Sequence, residues 1–63
     1  MLKDNLTRLR IKAGLTQNDL AKLTGCTQQF INLCERGLKV PSLGVAVDIA
    51  KNLNCTVDDL IKE

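Results

Sequence analysis

The amino-acid sequence predicts an all-α fold, a compact bundle of five short helices in one domain over residues 1–63. Apolar residues recur at helical spacing, and a glycine or a capping side chain separates each such segment from the next. Phe30 is the only aromatic residue, whereas β-sandwiches and β-barrels favour aromatic and β-branched residues. With 63 residues, 44% hydrophobic and 25% charged, the chain has an ordinary globular composition.

Helix 1 is expected near residues 3–13. Its apolar face follows the i, i+3, i+4, i+7 spacing of one helix side. That face consists of Leu6, Leu9, Arg10 and Ala13. Gly14 comes next, at a position where a left-handed residue commonly ends a helix.

Capping residues predict where helices 2 and 3 begin and end. Thr16 opens a capping box with Asp19, and Gly25 ends the segment, which predicts a helix near 17–24. Thr27 is the next N-cap, and Gly37 closes a helix near 28–35. Ile31 and Cys34 share one face of helix 3, so we expect both in the core.

Helices 4 and 5 lie beyond a loop at residues 38–41. Ser42 caps helix 4, and Thr56 opens a second capping box with Asp59 at the start of a short helix 5. The expected apolar face of helix 4 is Leu43, Ala46, Val47, Ala50 and Leu53. Helix 5 contributes Val57, Leu60 and Ile61.

The short link between helices 2 and 3 is typical of a helix-turn-helix. It consists of Gly25, Cys26 and Thr27. Ala21 is small enough for close approach of the two helices, and Gly25 allows positive φ in the turn. The face of helix 3 opposite the core carries Gln28, Gln29, Asn32 and Leu33. These residues alone fit either a ligand-reading surface or ordinary solvated surface.

Charge is distributed unevenly along the chain. Residues 1–40 carry seven basic and three acidic side chains, a net charge of +4. Residues 41–63 carry two basic and four acidic side chains, a net charge of −2. This asymmetry suits a protein with one face towards an anionic polymer, and it equally suits a normally solvated surface.

Several function classes have no support in the residues. The chain has no histidine, and its three cysteines (Cys26, Cys34 and Cys55) lack CxxC spacing. We therefore expect structural free thiols, no metal, no cofactor and no catalytic residues. The adjacent carboxylates Asp58 and Asp59 belong to a capping box. Because no apolar run could span a membrane or form a signal peptide, we expect a cytoplasmic protein.

One set of residues matches a known family pattern: Leu15-Thr16-Gln17, Leu20-Ala21, Gly25, Thr27-Gln28-Gln29, Ile31, Glu35-Arg36-Gly37, Pro41-Ser42-Leu43, Ile49-Ala50 and Asp59-Leu60. Through these residues the sequence resembles the phage repressor/Cro type of helix-turn-helix, also called the XRE family. The resemblance runs without a gap from about Leu6 to Ile61. This resemblance implies a lambda-repressor-like domain that binds double-stranded DNA with helix 3 in the major groove.

The resemblance also implies roles for individual residues. Base contacts are expected from Gln28, Gln29, Asn32 and Leu33, with glutamine on adenine. Leu33 departs from the polar residue common in the family at this position, and it either packs on a thymine methyl group or marks weaker specificity. Contacts to the DNA backbone are expected from Gln17, Lys22, Thr27, Arg36, Lys39 and Ser42. Gln17 is expected to brace Gln28. Phe30 either packs on the sugar-phosphate backbone or covers the edge of the core.

Arg10 and Glu35 match positions that are often paired in the family. Arg10 lies on the apolar stripe of helix 1, where an unpaired charge would be costly. We therefore predict a partly buried, structural Arg10–Glu35 ion pair.

The expected function is a transcriptional regulator, a repressor that binds a palindromic operator as a homodimer. Half-sites would be about 34 Å apart, and no small-molecule effector is indicated. The dimer surface is expected around Asn54, Thr56, Val57 and Ile61.

The alternative function is a protein-interaction module, either antitoxin-like or an anti-repressor subunit, in which the helix-turn-helix serves as a scaffold. A net charge of only +2 supports it. A set of apolar residues does so too: Leu23, Phe30, Leu33, Leu38 and Val40.

Overall fold

The computed structural model describes residues 1–62, which form five α-helices and no β-strand. The helices are α1 (Leu2–Lys12), α2 (Gln17–Thr24), α3 (Gln28–Glu35), α4 (Leu43–Asn52) and α5 (Val57–Ile61). The predicted all-α, five-helix architecture is therefore confirmed. The bounds of α2 and α3 are those expected, and α1 lies one residue closer to the N-terminus than predicted.

Side-chain caps begin every helix after the first. Thr16, Thr27, Ser42 and Thr56 each accept a hydrogen bond from the backbone N–H three residues later, at 3.0, 3.0, 3.3 and 3.1 Å. The backbone N–H groups of Thr16 and Thr56 in turn donate to the side-chain carboxylates of Asp19 and Asp59, at 3.0 Å in both cases. Both predicted capping boxes are thus present. Their backbone hydrogen bonds hold the pKa of Asp19 and of Asp59 below the ordinary value.

The core draws apolar side chains from all five helices. α3 packs on α1 and α2, α4 packs on α2 and α5, and α5 closes against α1. The buried cluster is Leu6, Leu20, Ala21, Ile31, Cys34, Ile49, Ala50, Leu53 and Leu60. The three cysteines are free thiols that lie in this cluster or pack against it. Burial raises the pKa of the Cys34 thiol, as expected for a structural cysteine.

The predicted faces of two helices need correction. Leu43 is 73% exposed and Val47 is only half-buried, while Ile49, absent from the predicted face of α4, is buried. Leu43 is the first residue of α4 and extends past the helices that cover the next turn. Ala13 was predicted on the buried face of α1 but is exposed, because it caps the helix end where the chain turns away.

Asn5 joins the first helix of the chain to the end of the last one. Its Nδ2 donates to the carbonyl oxygens of Leu60 and Lys62, at 3.0 and 2.6 Å. Backbone carbonyls at a helix end lack partners within their own helix, so these bonds satisfy the end of α5. They hold α5 against α1, which in turn supports one side of α3.

Candidate nucleic-acid interface

The turn between α2 and α3 fixes the direction of α3. Gly25 caps α2 in the left-handed conformation, with φ of 69°. The next N–H, that of Cys26, donates to the carbonyl of Ala21 at 2.9 Å, and Thr27 then caps α3. The buried Ala21 lets the helices approach closely. A non-glycine residue at position 25 would adopt its conformation only with strain.

α3 has one buried and one open side. Ile31 and Cys34 are fully buried, whereas Gln28 and Gln29, the first two residues of the helix, are exposed. Within residues 1–62 neither glutamine side chain makes a hydrogen bond. Both amides are therefore free to bond with a ligand, on a helix whose other side is anchored in the core.

Asn32 and Leu33 are less open than predicted. Both were expected to be exposed like the two glutamines, but both are half-buried. Asn32 is held by a hydrogen bond to Gln17. Leu33 lies on the flank of α3 next to the loop that follows, and its carbonyl accepts from the N–H groups of Leu38 and Lys39 at 2.9 and 3.3 Å. The side chains of Asn32 and Leu33 remain partly accessible on the flank of α3.

A polar network beneath α3 joins three helices through Glu35. Arg10 Nε donates to Glu35 Oε2 at 2.6 Å, and Arg10 Nη2 donates to Oε1 at 3.2 Å. Thr7 Oγ1 and Gln17 Nε2 also donate to Oε1, at 3.1 and 3.2 Å. Arg10 Nη1 donates to the carbonyl of Leu15 at 2.7 Å. The Arg10 and Glu35 side chains are only 13% and 6% exposed, so this ion pair is largely desolvated.

The environment of Glu35 favours its charged form. Burial alone would raise the pKa of this carboxyl. The hydrogen bonds from Arg10, Gln17 and Thr7 outweigh that cost, and the pKa lies below its ordinary value. Glu35 is therefore an ionised acceptor near neutral pH. Sequence reasoning missed Thr7, although its position three residues before Arg10 places it on the same face of α1.

The expected bracing of Gln28 by Gln17 does not occur in this structure. Gln17 donates to Glu35 and accepts from Asn32 Nδ2 at 3.4 Å. No hydrogen bond joins Gln17 to Gln28 in the described chain. The ionised Glu35 beneath Gln17 is the stronger hydrogen-bond partner, and Asn32, one turn along α3 from Gln28, takes the other end of the amide.

The residues expected to contact the DNA backbone are mostly at the surface. Lys22, Thr27, Arg36, Lys39 and Ser42 are exposed, and Gln17 is half-buried. The hydroxyls of Thr27 and Ser42 accept the capping bonds of α3 and α4, and each still has a proton to donate.

A further basic residue, Lys3, lies beside Arg36 and Lys39. The three side chains line one open surface depression of about 280 Å³ at the end of α3. Gly37 permits this arrangement, because a Cβ there would lie 2.9 Å from Lys3 Cδ. Sequence reasoning missed Lys3, since nothing in the pattern of α1 indicates that its stem crosses Gly37.

The apolar residues cited for the protein-interaction alternative differ in exposure. Phe30 packs against the core cluster, so of its two expected roles the structure shows the core edge. Leu23, Leu38 and Val40 remain exposed, with Val40 at 80%.

Two properties of the described residues bear on other functions. Residues 1–62 contain no group of three or more histidine, cysteine or acidic side chains placed to hold a metal ion. The same residues contain no helix with the length and apolar character needed to cross a membrane.

Comparison with known proteins identifies the class to which this fold and turn belong. A sequence model of the family described as helix-turn-helix matches residues 6–60. The chain therefore belongs to the helix-turn-helix family, and its type is that of the phage repressor/Cro (XRE) proteins.

Two similar relatives are named HTH-type transcriptional regulators. One, from Archaeoglobus fulgidus, is 36% identical over 59 residues, which cover 94% of this chain and 84% of the relative. The other, from Methanocaldococcus jannaschii, is 39% identical over 59 residues, which cover 94% and 89%. HTH-type transcriptional regulators are a family of non-enzymes.

A solved structure shows the same fold. A chain of the SinR protein/SinI protein complex superimposes on the whole of this chain with a TM-score of 0.91 and 23% sequence identity. The present chain spans 62% of the length of that chain. This likeness establishes the arrangement of the five helices.

Proposed function

We propose that this protein is a sequence-specific regulator of transcription that binds double-stranded DNA with α3 in the major groove. The observation that carries the proposal is the pair of free amides, Gln28 and Gln29, at the exposed start of α3. Ile31 and Cys34 anchor the opposite side of that helix in the core. A rigid helix with unbonded polar groups at its N-terminal end is what a helix-turn-helix presents to base edges.

The chemistry of the exposed side favours A·T pairs. A glutamine amide can bond to adenine N6 and N7 together, and Gln28 and Gln29 are both available for such a contact. Leu33, on the flank of α3, is suited to packing on a thymine methyl group. Asn32 is a further base contact, restricted by its bond to Gln17.

Contacts to the phosphates would set the position of α3 in the groove. We propose this role for the residues expected from the sequence: Gln17, Lys22, Thr27, Arg36, Lys39 and Ser42. The N–H groups at the start of α2 and α4 would assist, because helix N-termini attract anions. Such contacts supply affinity and orientation and do not discriminate between sequences.

A homodimer on a palindromic operator fits the size of the domain. Its Cα extents are 25 × 23 × 20 Å, and half-sites one turn of the duplex apart are separated by about 34 Å. Two domains so placed meet through their outer side chains over a small area. We propose that Asn54, Thr56, Val57 and Ile61 form this contact; Ile61 is 53% exposed.

Repression by occupancy is the regulatory mode we propose. A dimer bound over a promoter excludes other proteins from that DNA, and this requires only the surface described above. Because the two relatives described above come from archaea, whose DNA lies in the cytoplasm, we propose that the protein acts there.

Selection from a random duplex library, at low and at high salt, tests the proposal. We expect a palindromic motif whose A·T-rich positions are lost in a Gln28→Ala, Gln29→Ala variant. Lys51→Ala is the control, because Lys51 is exposed on α4 outside the proposed interface. Its motif should match that of the unmodified protein.

Other outcomes would reject the proposal. If the glutamine variant retained the motif, α3 would not be the element that reads bases in the major groove. Failure to enrich any sequence at either salt concentration would reject DNA reading. It would favour the protein-interaction alternative, with the exposed Leu23, Leu38 and Val40 as the surface to test.

A further inference from the structure

We infer that Glu35, acting through Gln17, determines which atom of the Asn32 amide faces the DNA, so that Asn32 selects an amino base (adenine or cytosine) on the strand it contacts. The inference rests on the proposed function, because it requires α3 to lie in the major groove. It assigns Asn32 a defined specificity and makes Gln17 its positioning residue.

The first step is the orientation of the Gln17 amide. An ionised carboxylate only accepts hydrogen bonds, and Gln17 Nε2 lies 3.2 Å from Glu35 Oε1. Turning the amide by half a rotation would bring Gln17 Oε1 against that oxygen, with no proton between two acceptors. Arg10 holds Glu35 in place through both carboxylate oxygens. The amino group of Gln17 therefore points at Glu35, and its carbonyl oxygen points away.

The second step passes this orientation to Asn32. Gln17 Oε1 accepts from Asn32 Nδ2 at 3.4 Å. A half rotation of the Asn32 amide would again oppose two acceptor oxygens. At 3.4 Å this bond is longer than a typical N–H···O bond, so the second link is weaker than the first. It still favours one of the two orientations of Asn32.

The third step is the atom that remains for the ligand. Asn32 lies four residues after Gln28 and three after Gln29, on the same side of α3. In the described chain, Asn32 Oδ1 accepts no hydrogen bond. In the major groove an acceptor can bond to the exocyclic amine of adenine or cytosine. Guanine and thymine present oxygen acceptors there. The arrangement therefore favours amino bases over keto bases at one position of each half-site.

Library selection with the full chain tests the inference. The unmodified protein should show one amino-base position per half-site, with a preference of about fivefold, the low end of what a good bidentate side-chain–base pair supplies, because Asn32 contributes a single acceptor. Asn32→Ala should abolish that preference. Gln17→Met should abolish it too, because the freed Asn32 amide can then present either its oxygen or its amine.

A double variant separates positioning from a merely structural effect. In Gln17→Met with Asn32→Asp, the carboxylate presents an acceptor in both orientations, so the amino-base preference should return. Overall affinity should fall, since the new charge lies near the phosphates. Asn18→Met is the matched control, because exposed Asn18 follows Gln17 on α2 and lies outside the network. Its base preferences should not change. Thermal unfolding establishes that each variant is folded.

Specific results would overturn the inference. A keto preference in the unmodified protein at the Asn32-dependent position would do so. So would an amino preference that survives Gln17→Met, or a double variant that fails to restore it. In those cases the motif that depends on Gln28 and Gln29 would still be present, and the proposed function would stand. Absence of any motif would instead reject the proposed function and this inference with it.

Discussion

Beneath α3, polar side chains of α1, α2 and α3 converge on the Glu35 carboxylate, whereas α4 and α5 pack through apolar side chains such as Ile49 and Leu60. Apolar packing has no preferred direction and resists mainly changes in volume. Hydrogen bonds to a carboxylate also determine which way an amide points. The difference teaches that the domain adds a network of directional side-chain bonds under the helix expected to contact bases, whereas α4 and α5 rely mainly on apolar packing, with Asn5 bonding to the end of α5.

Breaking the ion pair should have the largest effect on this comparison. Arg10→Ala should lower the free energy of unfolding by about 3–5 kcal/mol, because it leaves the Glu35 charge buried without its main partner. Arg10→Met together with Glu35→Leu should cost less than either single change, since no charge then remains in the site. Urea denaturation of the unmodified protein, Arg10→Met, Glu35→Leu and the double variant measures the difference in a double-mutant cycle. Strictly additive losses would show that the two charges do not interact.

Weakening the apolar packing of α4 and α5 should destabilise the domain without changing its base preferences. Leu60→Ala should lower the free energy of unfolding by about 2–5 kcal/mol, the range for removing a buried leucine side chain. Because the Leu60 side chain is not part of the Glu35 network, base preferences of the folded fraction should be unchanged. Urea denaturation combined with library selection below the melting temperature checks both parts. A changed base preference would mean that the two halves are coupled.

Acidification should produce a smaller loss, concentrated in the polar half. Glu35 has a pKa below its ordinary value of 4.5 in the folded protein. Its contribution to stability is therefore complete above about pH 4.5 and is lost as the pH falls through the folded pKa, where the native carboxylate gains its proton. Chemical denaturation from pH 7 to pH 3 should show a flatter profile for Glu35→Gln than for the unmodified protein.

The control for acidification is Asp59→Asn, which alters a capping box at the surface. Asp59 also has a lowered pKa, but its side chain is 40% exposed against 6% for Glu35, so its removal should flatten the profile less. A Glu35→Gln profile parallel to that of the unmodified protein would show that Glu35 does not contribute to the pH dependence.

Local signals predicted the helices well. The capping residues Thr16, Thr27, Ser42 and Thr56 act within three positions of themselves, so their bonds follow from sequence alone. The buried side of α3 also followed, because Ile31 and Cys34 lie three apart on one face. Leu43 was placed wrongly, because periodicity gives the direction of a side chain and not whether a neighbour covers it.

The polar side chains under α3 were harder to assign. The resemblance to the repressor family indicated that Arg10 would meet Glu35, and these residues form an ion pair in the structure. Pairing Gln17 with Gln28 followed the same reasoning and was wrong. Gln17 is 15 positions from Asn32 and 18 positions from Glu35, on the other side of the turn. No local pattern specifies which of several polar groups will meet at such separations.

The sequence by itself determined the class of fold, the bounds of α2 and α3 and the turn between them, because caps, glycines and apolar spacing act over a few residues. Only the tertiary structure decided that Phe30 covers the core, that Lys3 crosses Gly37 and that Gln17 joins Glu35 to Asn32. Those outcomes depend on which surfaces meet when separate helices pack. The proposed orientation of the Asn32 amide is the clearest case, since it depends on Gln17 of α2, Glu35 of α3 and Arg10 of α1.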